Sequence, residues 1–349
     1  MSKTIKIAGR TIQDGSPIFI IAEAGVNHNG RMDLAKKLVD TAKRIGADAV
    51  KFQTFRAEDL VTADAPQADY QKKMDRARSQ FEMLKKLELS ETQFFELFEY
   101  CRKQKIIFLS TPFDLASAEF LSLLGVPAYK VGSGEITNFM LLRQVARYQK
   151  PIVLSTGMSS LQEVQEAVNV IDKQGNKELI LLHCTSNYPT KFEEVNLRAM
   201  LTLKKKFNVM TGYSDHTPGI EVAIAATAMG ACVIEKHLTL NRDLPGPDHS
   251  ASLVPQEFQK MVEAIRNVEK AKGDGIKKPN PSEIAIQKVA RKSLVAACDI
   301  GKGIIITPEM LTVKRPGTGI APKWIHRLTG KEARVAIPKD KIFSWDFVR

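Results

Sequence analysis

Two histidines, His216 in GYSDH and His237 in EKHLTL, stand at the ends of successive short apolar runs. If those runs are neighbouring strands, the two imidazoles lie side by side. Such a pair suits a borderline divalent metal such as Mn, Zn, Fe or Co. With only two protein ligands, several positions stay open for water or substrate. Hydrogen bonding into loops is the structural alternative. Three lysines, Lys51, Lys130 and Lys236, lie within or at the ends of similar runs. A charge inside an apolar strand is costly unless it is paired or faces a ligand. Snorkelling to the rim, binding of phosphate or carboxylate, and Schiff-base chemistry each answer that cost. Hydroxyls beside backbone amides at Ser133-Gly134, Ser155-Thr156-Gly157 and Ser214 favour an anion nest.

The carboxylates add proton chemistry. Glu23 lies inside the apolar IIAEAG, where it either pairs with a strand lysine or serves proton transfer and hydroxyl binding. Asp248 follows a Pro-Gly-Pro turn in LPGPDHS and either orients a substrate or caps the turn. His28, in Asn27-His28-Asn29-Gly30, reads as part of a turn or as a further ligand.

Something must hold these groups together. Eight apolar runs recur over the first 240 residues: Ile18–Gly25, Ala49–Phe55, Ile106–Phe113, Ala128–Glu135, Pro151–Gly157, Leu179–Ser186, Val209–His216 and Ala231–Leu240. Each has the length and the Ile/Val content of a strand buried on both faces. Helical patterns separate them, at Met32–Ile45, Phe139–Tyr148, Leu161–Gln174 and Pro255–Ala271 among others. Eight such units predict a (β/α)8 TIM barrel, whose chemistry sits at the C-terminal strand ends. Thr4–Gly15 alternates around a Gly-Arg turn and predicts a hairpin capping the barrel floor. The polar stretch Thr62–Gln80 predicts a long loop over the active face. The Gly-, Pro- and Lys-rich GDGIKKPNPS predicts a linker at 273–283, dividing a barrel domain over 1–272 from a small β-rich domain over 284–349. That domain opens on a helix at Ile284–Arg291.

The chain has 349 residues, 44% of them hydrophobic, and an ordinary soluble composition. MSKTIKIAGR carries no long apolar stretch, and no run approaches the ~18 residues of a membrane span, so a cytoplasmic protein is expected. Cys101, Cys184, Cys232 and Cys298 are scattered and read as buried reduced thiols. The net charge is +12, and residues 284–349 hold 13 Lys/Arg against 5 Asp/Glu. No basic helix or aromatic ladder accompanies that excess, so an anionic substrate or a solvated surface is expected rather than nucleic acid.

These residues fall in blocks that resemble one family along nearly the whole chain. IAEAGVNHNG, KFQ, STPFD, KVGSGEITN, LSTGMSS, LLHCTSNYPT, GYSDHTPG, EKHLTL, PGPDHSASL and KRPGTGI are similar to the sialic acid (nonulosonic acid) synthases. The resemblance implies a (β/α)8 barrel followed by a small SAF domain similar to type III antifreeze proteins. It implies a transferase that condenses phosphoenolpyruvate with an N-acylated amino-hexose, releasing phosphate and a nine-carbon α-keto acid. A divalent metal, Mn2+ or Mg2+, would be held by His216 and His237 and would polarise the sugar aldehyde for attack by C3 of the enol. Water would then add at C2, and phosphate would leave. Lys51, Lys130, Ser133, Ser155, Ser186 and Ser214 would bind phosphoenolpyruvate, Ser186 standing where some members have Asn. Glu23, Gln53, Tyr188 and Asp248 would face the sugar. Arg315 would reach from the small domain of a domain-swapped homodimer to the N-acyl group in the partner's barrel. PGPDHSASL, GDGIKKPNPSE and RKSLVA resemble the N,N'-diacetyllegionaminic acid branch, whose acceptor is a 6-deoxy-2,4-diacetamido-mannose. The alternatives are N-acetylneuraminate synthesis proper and a related phosphoenolpyruvate aldol synthase acting on another sugar.

Overall fold

The computed structural model describes residues 4–67 and 79–349, which divide into two compact units, Met1–Gly273 and Asp274–Arg349. In the first unit an antiparallel hairpin, β1 (Ile5–Ile7) and β2 (Arg10–Ile12), precedes eight parallel strands. Its turn is Ala8–Gly9, both at positive φ, so Arg10 opens β2 rather than forming the turn. The parallel strands are β3 (Phe19–Gly25), β4 (Ala49–Thr54), β5 (Ile107–Pro112), β6 (Tyr129–Val131), β7 (Ile152–Ser155), β8 (Leu179–His183), β9 (Met210–Asp215) and β10 (Val233–His237). They hydrogen-bond in the order β5-β4-β3-β10-β9-β8-β7-β6, and β6 packs beside β5, which brings the two ends of the sheet together.

Successive strand residues point to opposite faces. One set faces the barrel interior: Phe19, Ile21, Ala49, Leu109, Ala128, Val153, Ile180, Leu182, Met210 and Val233, joined from below by Ile5, Ile7 and Ile12 of the hairpin. The other set, including Ile20, Ala22, Val50, Phe52, Leu154, Leu181 and Ile234, packs against the surrounding helices. Both faces are dry, and for that reason the strands read as unbroken apolar runs.

The helices follow the 3.6-residue pattern. Helix α1 (Met32–Arg44) buries Ala35, Leu38, Val39 and Ala42, and Ile45 closes it as the C-cap. The last barrel helix, Pro255–Lys272, buries Phe258, Met261, Val262 and Ile265 on one face. Of the loop expected at Thr62–Gln80, residues 68–78 lie outside the described residues. The Ser79 side chain accepts the Glu82 N–H and starts a helix over Gln80–Leu87. Among the described residues no helix is long and apolar enough to cross a membrane.

The second unit opens on a helix over Pro281–Ala290, with Pro281 in its first turn and Glu283 accepting the Asn280 N–H. Strands Ser293–Ala296 and Leu311–Lys314 pair antiparallel. ARVAIP, which reads as β-like, contributes isolated bridges such as Ile300↔Ile337 rather than a strand. Leu294, Ile306, Ile320, Leu328, Ile337 and Phe343 form its core.

Gly212, in β9, is packed closely against β10 and Leu182. A Cβ there would stand 2.3 Å from the Val233 carbonyl oxygen and 2.7 Å from Leu182 Cδ2. Gly212→Ala should therefore cost about 1–3 kcal/mol by overpacking. A lower urea midpoint at unchanged slope is the expected result, and an unchanged midpoint would show that β9 and β10 can separate.

Candidate active site

The alternation that fills the barrel with apolar layers places polar side chains in its uppermost layer. Glu23, Lys51, Lys130, Ser155, Ser214, Glu235 and His237 all lie on the inward-facing register of their strands, from the middle of the strand to its C-terminal end. Their neighbours are set by the ladders, which pair Glu23 with Lys51 and with His237, and Ser214 with Glu235.

Glu235 is the hub, and its role was missed in the sequence. Its Oε1 accepts from Ser214 Oγ at 2.9 Å and lies 3.4 Å from Lys130 Nζ, while Oε2 lies 3.6 Å from Lys51 Nζ. Lys51 Nζ also lies 2.7 Å from Glu23 Oε2 and donates to Thr111 Oγ1. Lys130 Nζ donates to Ser155 Oγ at 2.8 Å. All four charged groups are buried. Burial pushes the Glu235 carboxyl up, but Lys130, Lys51 and the Ser214 hydroxyl overcome it and hold it at about 2. Glu23 goes the other way: burial, reinforced by Glu235, raises it despite Lys51. Burial lowers Lys130. Lys51 is raised, because Glu23 and Glu235 outweigh its burial.

One residue along, the chemistry is structural. Lys236 points out of the barrel, donates to Asp215 Oδ2 and the Thr217 carbonyl at 2.7 Å, and is kept from the cavity by strand alternation. It is neither an anion ligand nor a Schiff-base candidate. The same period-2 rule, applied to Val233–His237, is the signal that would have selected Glu235.

The two histidines stand with ring centroids 5.6 Å apart. The Thr185 carbonyl lies 2.7 Å from His216 Nδ1 and fixes the proton there, which leaves Nε2 as the lone-pair donor. Burial holds His216 down at about 4 and His237 well below the usual histidine range, so both rings are neutral at pH 7. His237 Nδ1 is buried with no hydrogen-bond partner and lies 3.9 Å from Asp248 Oδ2. Burial, then the charge of Glu23, pushes Asp248 up to about 7. Gln53 Nε2 donates to Glu23 Oε1 at 3.0 Å, and the Tyr188 ring lies 4.3 Å from that of His216.

These groups line one cavity of about 500 Å3. It brings together Glu23, Lys51, Gln53, Lys130, Ser133, Ser155, Ser186, Tyr188, Ser214, His216, His237 and Asp248. Arg315 belongs to the second unit, where it is exposed just after the strand Leu311–Lys314. His28 does not line this cavity: it is buried, and its Nδ1 accepts the Gly30 N–H inside the turn. All four cysteines are free thiols, but Cys298 is exposed rather than buried, and Cys184 forms part of the cavity wall. Thr111 and Glu135 also line the cavity, with no clear mark in the sequence. The wall also has an apolar part, built from Val26, Phe55, Leu60, Met83, Leu87 and Phe113.

Residues 38–277 match the NeuB family and residues 291–349 match the SAF domain. The chain belongs to the NeuB family. It is 49% identical to the N,N'-diacetyllegionaminic acid synthase of Campylobacter jejuni subsp. jejuni serotype O:2, over 93% of this chain and 98% of that one. It is 39% identical to the human N-acetylneuraminate-9-phosphate synthase, over 97% and 95%. The crystal structure of N-acetylneuraminic acid synthetase from Leptospira borgpetersenii serovar Hardjo-bovis, in complex with citrate, superposes with a TM-score of 0.73 at 36% identity, covering 82% of this chain and 95% of that one.

In this NeuB-family barrel one glycine lets the Ser133, Ser186 and Cys184 side chains approach the backbone closely. The Gly157 N–H donates to Ser133 Oγ at 2.9 Å. A Cβ on Gly157 would stand 2.3 Å from Ser186 Oγ, 2.9 Å from Ser133 Oγ and 3.0 Å from Cys184 Sγ. Gly157→Ala should weaken binding of inorganic phosphate about tenfold or more, because both serines must retreat. Calorimetric titration checks this, and wild-type affinity in the variant would remove Gly157 from the cradle.

Proposed function

We propose that the chain condenses phosphoenolpyruvate with an N-acylated amino-hexose to give a nine-carbon nonulosonic acid and phosphate. The observation that carries this reading is the mixed lining of one cavity. Two ammonium groups, four serine hydroxyls, two neutral imidazoles, Glu23, Gln53 and Asp248 all line the same space, with Lys51 2.7 Å from Glu23. A multiply charged anion and a polyhydroxylated partner need that combination.

Lys51 and Lys130 supply the charge that phosphate and carboxylate oxygens require. Glu235 holds both ammonium groups at the strand ends in the meantime. Ser133, Ser155, Ser186 and Ser214 fix individual oxygens of the anion. Glu23, Gln53, Tyr188 and Asp248 hold the hydroxyls of the acceptor, and Asp248, at about 7, can give or take a proton near neutrality. The new bond joins C3 of phosphoenolpyruvate to the aldehyde carbon of the sugar. Water adds at C2, and the C2–O bond to phosphate breaks.

The residues also fit a divalent cation. His216 and His237 are neutral, buried and on adjacent strands, and the second ring nitrogen of His216 is already tied to a carbonyl. Among the described residues no set of three or more His, Cys, Asp or Glu side chains converges on a metal position, so these two histidines would hold it alone. Mn2+ or Mg2+ bound there supplies Lewis-acid polarisation of a carbonyl oxygen.

For the acceptor, the proposal is a 6-deoxy-2,4-diacetamido-mannose. The 49% identity to a diacetyllegionaminic acid synthase against 39% to an N-acetylneuraminate-9-phosphate synthase supports it, as does PGPDHSASL. The apolar wall at Val26, Phe55 and Phe113 supports it physically, because a methyl group gains from burial there where a hydroxyl loses hydrogen bonds. Phosphate release from phosphoenolpyruvate, run with that sugar and with N-acetylmannosamine, should be faster with the diacetamido sugar. It should stop with chelator and return with Mn2+. Faster release with N-acetylmannosamine would reassign the acceptor, and no release with either would overturn the reaction.

The proposal extends to a domain-swapped homodimer in which Arg315 reaches the acceptor bound to the partner. The helix Pro281–Ala290 supports it by leaving Ile284, Ile286 and Val289 exposed, with Ile286 and Val289 on one face, apolar surface that a second copy can cover. Sedimentation should give twice the chain mass of 38.8 kDa, and a monomer would count against the exchange.

A further inference from the structure

The hydrogen-bond balance at Ser133 is not closed by the residues named so far. A serine hydroxyl has one proton to give and two lone pairs to receive. One lone pair of Ser133 Oγ is filled by the Gly157 N–H at 2.9 Å. Its other close neighbour is not a backbone group but the Sγ of Cys184, at 3.2 Å, and that contact can run either way. If Ser133 donates to sulfur, its only proton is spent on a weak acceptor, and nothing remains for an anion. If Cys184 donates, both lone pairs of Ser133 are filled, and the hydroxyl hydrogen is left directed into the cavity. An anion in the cavity favours the second arrangement, since a hydrogen bond to a charged oxygen is stronger than one to a thiol.

We infer that Cys184 is a positioning residue whose S–H turns Ser133 into an obligate donor toward the anion. The inference rests on the reading of Ser133 as a phosphoenolpyruvate ligand. The surroundings are consistent with a thiol chosen for this place. Cys184 is buried just after β8, and its sulfur lies so close to Gly157 that even a methyl group there would touch it at 3.0 Å. The thiol therefore backs both members of the cradle, the amide and the hydroxyl. Replacing it with a methyl group removes the donor without adding bulk. Replacing it with a hydroxyl keeps the donor on a shorter bond.

Steady-state phosphate release by Cys184→Ala and Cys184→Ser tests the assignment. Cys184→Ala should raise KM for phosphoenolpyruvate about three- to tenfold, with kcat and the acceptor KM within about twofold of wild type. Cys184→Ser should recover most of that loss. In a Ser133→Ala background, Cys184→Ala should add nothing further, because Cys184 acts only through that hydroxyl. An unchanged phosphoenolpyruvate KM in Cys184→Ala would overturn the inference. So would equal losses in the Ala and Ser variants, or an additive loss in the double variant. Calorimetric titration with inorganic phosphate repeats the comparison without turnover. Wild type that binds phosphate but releases none would fail the proposed reaction, while the variant series would still judge Cys184. Wild type that binds no phosphate would overturn both. Thermal midpoints show whether each variant is folded, and Cys184→Ser carries the test if the Ala variant is not.

Discussion

Two lysines and two glutamates buried within one barrel end set the terms for everything around them. Isolated charges at such depth are prohibitively costly, and even paired ones repay their desolvation only when the geometry is good and the remaining valences are filled. Lys51, Lys130, Glu23 and Glu235 meet that condition together. Each ammonium faces a carboxylate and a hydroxyl, from Thr111 for Lys51 and from Ser155 for Lys130. The set is close to neutral by itself, which lets it persist in an apolar barrel. Its members are held by different strands, β3, β4, β6 and β10, so the network exists only when the sheet has curled round.

The rest of the first unit makes that polar layer affordable. Hairpin residues Ile5, Ile7 and Ile12 seal the floor, and two-sided apolar strands fill the middle. Water is thereby confined to the open end, where the titrating groups are. The consequences differ from group to group. Burial is the main cause that drives His216, His28 and His249 down to about 4, and burial with the charge of Glu23 raises Asp248 to about 7, whereas the local ammonium groups hold Glu235 low against its burial. One barrel end thus holds neutral imidazoles, a carboxyl that titrates near neutrality and a permanently charged carboxylate. His28 and His249 share the first of these states for another purpose: each is locked in a turn, His249 by Thr239 and Asn29, His28 by the Gly30 amide.

The cavity is asymmetric in a way that charge alone would not produce. The part of its wall that carries Lys51, Lys130 and the serines is built from strands of the barrel and the loop at Gly157. Its apolar half is built from Val26, Phe55 and Phe113 just beyond strand ends, and from Met83 and Leu87 on the helix Gln80–Leu87. Segments inserted between strands are where a family can vary its acceptor without disturbing the barrel.

Much of this was legible in the chain itself. Apolar runs of strand length, helical spacing between them and the Gly/Pro/Lys-rich stretch near residue 273 depend only on local chemistry, and they prescribe eight strands and a separate tail. Polar residues inside those runs, such as Glu23, Lys51 and Lys130, announce themselves because local sequence gives no reason for their burial. Tertiary structure decided which of them meet. Glu235 and Lys236 are adjacent and equally conspicuous, yet strand alternation sends one into the cavity and the other to Asp215. Cys184 looks like any buried thiol until the approach of Gly157 and Ser133 gives it a partner. Side-chain direction follows from local backbone geometry, but partnership across strands depends on closure of the whole sheet, and no stretch of sequence contains that closure.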